Sequence, residues 1–186
     1  MDYSWPMRQR WTIACLLAGV VTCGYAQVPM VSTEMKALEP MLGVWTGTVK
    51  WYQGGIEGQM QASMTNSMDG PFMKTTGEFL MGQMKMTETA FTWWDKKAKL
   101  YKTQAYASFA DQPRSESGTF KSNKMVMTSE PWDFGMGPTR TRATITMKGG
   151  AMDFLLEFEL NKKWEKSAEG TLTKAQTATP PDKSGF

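Results

Sequence analysis

The 186-residue chain contains no histidine. That absence excludes a histidine general base, a Ser-His-Asp or Cys-His constellation, a histidine-ligated haem and the usual zinc sites. Cysteine is nearly absent too: Cys15 and Cys23 are the 2 in the chain. Long apolar runs are missing, since the longest, from about Thr12 to Val21, falls short of the roughly 20 residues that a membrane-spanning helix needs. No transmembrane span is therefore expected. Charge of one sign does not dominate: 21 Lys and Arg stand against 18 Asp and Glu, for a net charge of +3, which gives no reason to expect nucleic acid as a partner.

The first residues, MDYSWPMRQRWTIACLLAGVVTCGYAQ, place Arg8 and Arg10 before the apolar run and small residues before Gln27. This is the pattern of a secretory signal, with Gly24 and Ala26 at the −3 and −1 positions of a cleavage site after residue 26. The expected product is exported, periplasmic or extracellular. Cleavage there removes both cysteines and leaves a protein without thiol or disulfide, held together by packing. Val20, Val21, Thr22 and Cys23 loosely resemble a lipobox, with an atypical threonine before the cysteine, so a lipid anchor on Cys23 is the alternative to simple cleavage.

What the chain has in abundance is methionine. After Ala26 there are 15, as many as the 8 leucines, 2 isoleucines and 5 valines together. Met81, Met84 and Met86 fall within the stretch FLMGQMKMTET, and thioethers are soft donors that suit Cu(I). On a single extended strand Met84 and Met86 share a face, whereas Met81 has the opposite parity unless Gly82 marks a bulge. The plainer reading is that methionine, scattered from Met30 to Met152, fills the interior that leucine and isoleucine fill elsewhere.

Residues 31–42, VSTEMKALEPML, suit a short helix capped by Ser32 or Thr33, stopped near Pro40 and plugging or flanking the main body. Beyond it, alternating segments separated by Gly54-Gly55, Asp69-Gly70-Pro71, Asp111-Gln112-Pro113 and Gly149-Gly150 indicate an all-β chain. The expected strands are 43–53, 58–67, 72–81, 83–94, 99–109, 114–121, 124–130, 139–147, 151–161 and 164–174, which suggests an antiparallel closed barrel of about ten strands. Met152, Phe154, Leu156, Phe158 and Leu160 mark a dry face, with Asp153, Glu157 and Glu159 opposite. PWDFGMGP, from Pro131 to Pro138, reads as a long loop over one barrel end, and residues 175–186 as a disordered tail. The chain thus divides into a signal peptide (1–26), a barrel domain (27–174) and the tail.

Leu42-Gly43-Val44-Trp45-Thr46-Gly47 resembles the G-x-W signature on the first strand of calycin barrels, which include lipocalins, fatty-acid-binding proteins and nitrobindins. Together with FTWWDKKAKLYKTQAYASF, SESGTF and a closing charged segment, it resembles a bacterial family known as domain of unknown function 1579, over about Leu38 to Lys174. The resemblance implies a closed barrel with an interior cavity and no assigned reaction. A nitrobindin-like haem site does not carry over without a histidine. The late arginine that packs on the signature tryptophan in lipocalins is also missing: after Arg142 there are lysines such as Lys166 and Lys174.

Other candidate features read as structural. Adjacent Trp93 and Trp94 must point to opposite faces. Asp95-Lys96-Lys97-Ala98-Lys99 is expected to be a solvated turn, and Arg140 and Arg142 to point outward while Ala143, Ile145 and Met147 point inward. No acid-base constellation and no cofactor is implied, so a non-catalytic protein is expected. Strand parity nominates Trp45, Met60, Met64, Met84, Met86, Tyr106, Met125 and Met127 as lining for a small apolar or amphipathic molecule. The alternatives are Cu(I) on Met81, Met84 and Met86, or a packed interaction module.

Overall fold

A computed structural model describes residues 31–133, 135 and 137–175. The expected signal peptide, Cys23 and nearly all of the expected tail lie outside the described residues.

Ser32, the second described residue, acts as a helix cap, its Oγ accepting from Met35 N at 3.2 Å. The helix that follows, α1 (Thr33–Lys36), is a single turn, succeeded by a 3-10 turn over Glu39–Met41 that starts with Pro40 in its first positions. There proline costs nothing, because its missing N–H has no partner in a first turn. Ten strands then run in sequence: β1 (Gly43–Gln53), β2 (Ile56–Asp69), β3 (Phe72–Met81), β4 (Met84–Asp95), β5 (Leu100–Ala107), β6 (Arg114–Lys121), β7 (Lys124–Ser129), β8 (Thr141–Lys148), β9 (Ala151–Leu160) and β10 (Lys163–Lys174). Each pairs antiparallel with its neighbours in sequence, and β10 pairs with β1 to close the barrel. Closure removes the two free edges that an open sheet of this length would expose.

Period-two alternation fixes what faces inward. Trp45 on β1 lies opposite Met64 on β2 and Lys174 on β10, and Val49 lies opposite Met60 and Gly170. On β9, Met152, Phe154 and Leu156 face Met147, Ile145 and Ala143 of β8. A register shift between Lys166 and Ala168 on β10 lets Glu165, opposite Phe158, share the inner side with Ala168, opposite Leu156.

The two barrel ends differ. The β2–β3, β4–β5, β6–β7 and β8–β9 turns lie at the end where β1 begins, and α1 and the 3-10 turn fold into that end. Met35, Leu38 and Met41 pack there against Met73, Tyr101, Met125 and Met127. Met41 O accepts from both Trp45 Nε1 and Asn66 Nδ2 at 2.8 Å, and Tyr101 Oη donates to Glu34 O at 2.7 Å. The plug predicted from sequence is therefore present, pinned by three side-chain donors to its own carbonyls. Lys174 Nζ sits 5.5 Å from the centre of the Trp45 ring, so a lysine on the last strand stands over the signature tryptophan.

Candidate functional site

The opposite end holds a cavity of about 710 Å³. Its inner wall is Trp51, Met60, Met81, Met86, Leu156, Phe158 and Ala168, and its mouth is formed by the β1–β2 turn, the β9–β10 turn and Gly137–Thr139. Inward parity brings these apolar side chains together, and among the described residues no plug reaches this far. Trp51 lies against the wall because its cross-strand partner is Gly58; a Cβ there would fall 2.5 Å from Trp51 Cε2. Trp51 Nε1 is buried and has no hydrogen-bond partner among the described residues.

The mouth is charged. Glu57, Glu159, Glu165 and Lys166 border it. Lys166 Nζ lies 2.8 Å from Glu169 Oε2, and Tyr52 Oη donates to Glu169 Oε1 at 2.7 Å. These bonds from Lys166 and Tyr52 hold the Glu169 carboxyl below its ordinary range, and the bond to Glu169 raises both Lys166 and Tyr52.

The nominated lining residues separate into four groups. Met60 and Met86 line the cavity. Trp45, Met64, Met125 and Met127 face inward as parity requires, but they sit in packed interior; Trp45 is 1 % exposed, and Met125 and Met127 abut the plug. Met84 is on the inner side at the rim and is 56 % exposed. Tyr106 must be corrected: the inner side of β5 belongs to Tyr101, Thr103 and Ala105, so Tyr106 points outward and is 54 % exposed.

The parity assigned to Met81 also needs correction. Gly82 and Gln83 form a two-residue turn, with Gly82 at a φ of 61°, and Met81 lies directly opposite Met84. A turn reverses the chain and keeps opposed residues on one face, so no bulge is required for Met81, Met84 and Met86 to share the inner wall.

The expected outward features are outward. Arg142 makes a two-pronged pair with Glu157, at 2.7 and 2.8 Å, and lies 4.5 Å from the Trp164 ring centre. That hydrogen bonding lowers Glu157 and raises Arg142. Trp94 points inward against Tyr101 at 5.0 Å between ring centres, while Trp93 meets Phe72 at 6.3 Å. Asp95 Oδ1 accepts from the backbone N–H groups of Ala98 and Lys97, which lowers its carboxyl and fixes the lysine turn.

One cluster escaped sequence reasoning. Arg114, at the start of β6, points into the barrel with Glu116 Oε1 at 2.8 Å and Glu88 Oε2 at 3.0 Å. Its guanidinium also lies 5.1 Å from the ring centre of Trp132, on the β7–β8 segment, and Trp132 packs near Phe109 at 6.5 Å. Burial alone would lower Arg114, but the attraction of Glu116 and Glu88 outweighs it and holds the guanidinium above its ordinary value. Burial pushes the Glu116 carboxyl up, against the pull of Arg114. The signal was available: Glu88 shares parity with Met86 and Ala90, and Arg114 and Glu116 share it with Gly118. The cluster ties β4, β6 and the β7–β8 segment together, with one guanidinium shared between two carboxyl groups.

Among the described residues no three histidine, cysteine, aspartate or glutamate side chains gather to hold a metal ion, and no helix is long and apolar enough to cross a membrane. No family model matches the chain, and no curated protein matches it. A solved structure does: Rv2717c from M. tuberculosis superposes with a TM-score of 0.65 at 13 % identity, covering 78 % of this chain and 99 % of that one. The likeness is one of fold.

Proposed function

We propose that this chain is an exported, non-catalytic barrel that binds one small apolar or amphipathic molecule in the cavity beside Trp51, Met60 and Phe158. The observation that carries the reading is the unequal filling of the interior: one end is packed solid around the plug, while the other encloses about 710 Å³. That volume falls in the usual range of roughly 300–1,000 Å³ for sites that take a small organic ligand. The wall is apolar and the rim charged, which suits a molecule with an apolar body and a polar end. The buried Trp51 N–H offers a hydrogen bond to a ligand oxygen.

Non-catalytic binding is favoured by the engagement of the interior charges, since Arg114, Glu88 and Glu116 satisfy one another. The export signal and the resemblance to domain of unknown function 1579 belong to the same reading, that of a cell-envelope carrier. Native mass spectrometry of the protein as purified tests it. A bound small molecule that is retained in Met125→Leu and lost in Met60→Trp is expected; an empty barrel that also takes up no apolar probe would overturn the reading.

A further inference from the structure

We infer that the β2–β3–β4 wall carries a soft-metal site in which the thioethers of Met60, Met81, Met84 and Met86 take Cu(I). The register is what brings them together. Met81 and Met84 are directly opposed across the Gly82–Gln83 turn. One step beyond the Gln61–Leu80 pair, Met60 falls beside Met81 on its other side. Met86 follows Met84 by two residues on the same strand and therefore on the same face. Four thioethers thus form one contiguous patch over three adjacent strands. Opposed Cα atoms in such a patch are about 4.5–5.5 Å apart across strands, and i, i+2 neighbours are roughly 7 Å apart along one. Methionine side chains, unbranched and with three rotatable bonds, can converge on a single ion over those separations.

Access to the cavity separates these four from the methionines that fill the core, among which Met64, Met68 and Met147 are half-buried as well but pack against the core clusters. Met35, Met41, Met73, Met125, Met127 and Met152 are all buried. Met60, Met81 and Met86 are half-buried against open cavity, and Met84 stands exposed at the rim. A methionine acting as filler is surrounded; these four face accessible space. The donor set is neutral and soft, which selects Cu(I) over Zn²⁺ or Mg²⁺. Glu88, the next inward residue on β4, is held by Arg114 at 3.0 Å and leaves the patch to sulfur.

The site does not depend on the carrier reading, because leucine replaces methionine with similar volume and apolarity while removing the donor. The test uses the full chain carrying Cys15→Ser and Cys23→Ser, so that no thiolate competes. Anaerobic titration with Cu(I) against a coloured Cu(I) chelator should show one ion per chain. Met81→Leu and Met84→Leu should each weaken uptake on the order of tenfold, as expected for loss of one donor from a site of few. The triple variant Met60→Leu/Met81→Leu/Met84→Leu should abolish it, and Met125→Leu should leave it intact. With Ag(I) as a redox-inert probe, labelled ε-methyl signals of the four named methionines should shift together. Failure to compete with the chelator, unchanged uptake in the folded triple variant, or equal loss in Met125→Leu would each overturn the site.

Discussion

The plugged and open ends of the barrel are made from the same ten strands and the same methionine-rich inner face, yet one is packed and the other hollow. At the plugged end the strands supply Met73, Tyr101, Met125 and Met127, and residues 32–42 supply Met35, Leu38 and Met41 to meet them. At the open end Met60, Met81, Met86, Leu156 and Phe158 face the cavity, with nothing equivalent opposite among the described residues. What distinguishes core from lining is therefore an element outside the sheet. A residue's inward direction is a property of its strand; its role is set by what occupies the space in front of it.

The comparison can be broken first at its anchor. Trp45→Ala removes a fully buried ring and orphans Met41 O from one of its two donors, and should cost about 3–5 kcal/mol, the usual range for deleting a buried large aromatic. Urea unfolding followed by the remaining tryptophans measures it. Arg114→Met comes next, because it leaves Glu88 and Glu116 inside without their cation; breaking a buried pair from one side costs about 3 kcal/mol or more.

That cluster also fixes a pH dependence. Burial raises Glu116, so the folded protein holds its proton more readily than the unfolded chain does. The resulting contribution is fully present below the ordinary carboxylate range and is lost as pH rises through the raised value. Glu157, lowered by its bond to Arg142, acts in reverse, and its contribution is lost as pH falls through its depressed value. In Glu116→Gln the fall in urea midpoint as pH rises above the ordinary carboxylate range should flatten, while Glu157→Gln, whose contribution is lost below that range, should leave that fall unchanged.

A matched pair of truncations then sets the two ends against each other. Met125→Ala, beside the plug, should cost about 2–5 kcal/mol, and Met86→Ala, beside the cavity, about 1 kcal/mol, because less packing is lost where less surrounds the side chain. Equal costs at both sites would erase the distinction. The smallest effect is expected at Tyr106→Ala, within about 0.5 kcal/mol, since that ring lies outside the barrel.

Much of the fold was legible from turn chemistry and alternation. Eight of the ten expected strands begin within a residue or so of their place, and the Ser32 cap and the plug follow from local rules. The site was less legible, for three physical reasons. Parity gave the inner face but not the plug's reach, so Trp45, Met125 and Met127 were nominated as lining when they are core. On β5 the parity that nominates Tyr106 is the wrong one of two: pairing with Trp94, Thr92 and Ala90 puts Tyr101, Thr103 and Ala105 inside and Tyr106 outside. At Gly82 the chain turns, so counting parity straight through the stretch separated Met81 from partners it directly faces. Arg114 and Glu116 alternate in phase with Gly118 and the inner wall, but a charged pair inside a barrel runs against the usual preference of charge for solvent, which hides such a cluster from a reading by residue type.

The central claim, an interior solid at one end and open at the other, is tested most directly by binding of an uncharged apolar fluorescent probe to wild type, Met60→Trp and Met125→Leu. One probe per chain in wild type and Met125→Leu, with none in folded Met60→Trp, is the predicted result; no binding to wild type, or binding that Met60→Trp leaves untouched, would contradict it.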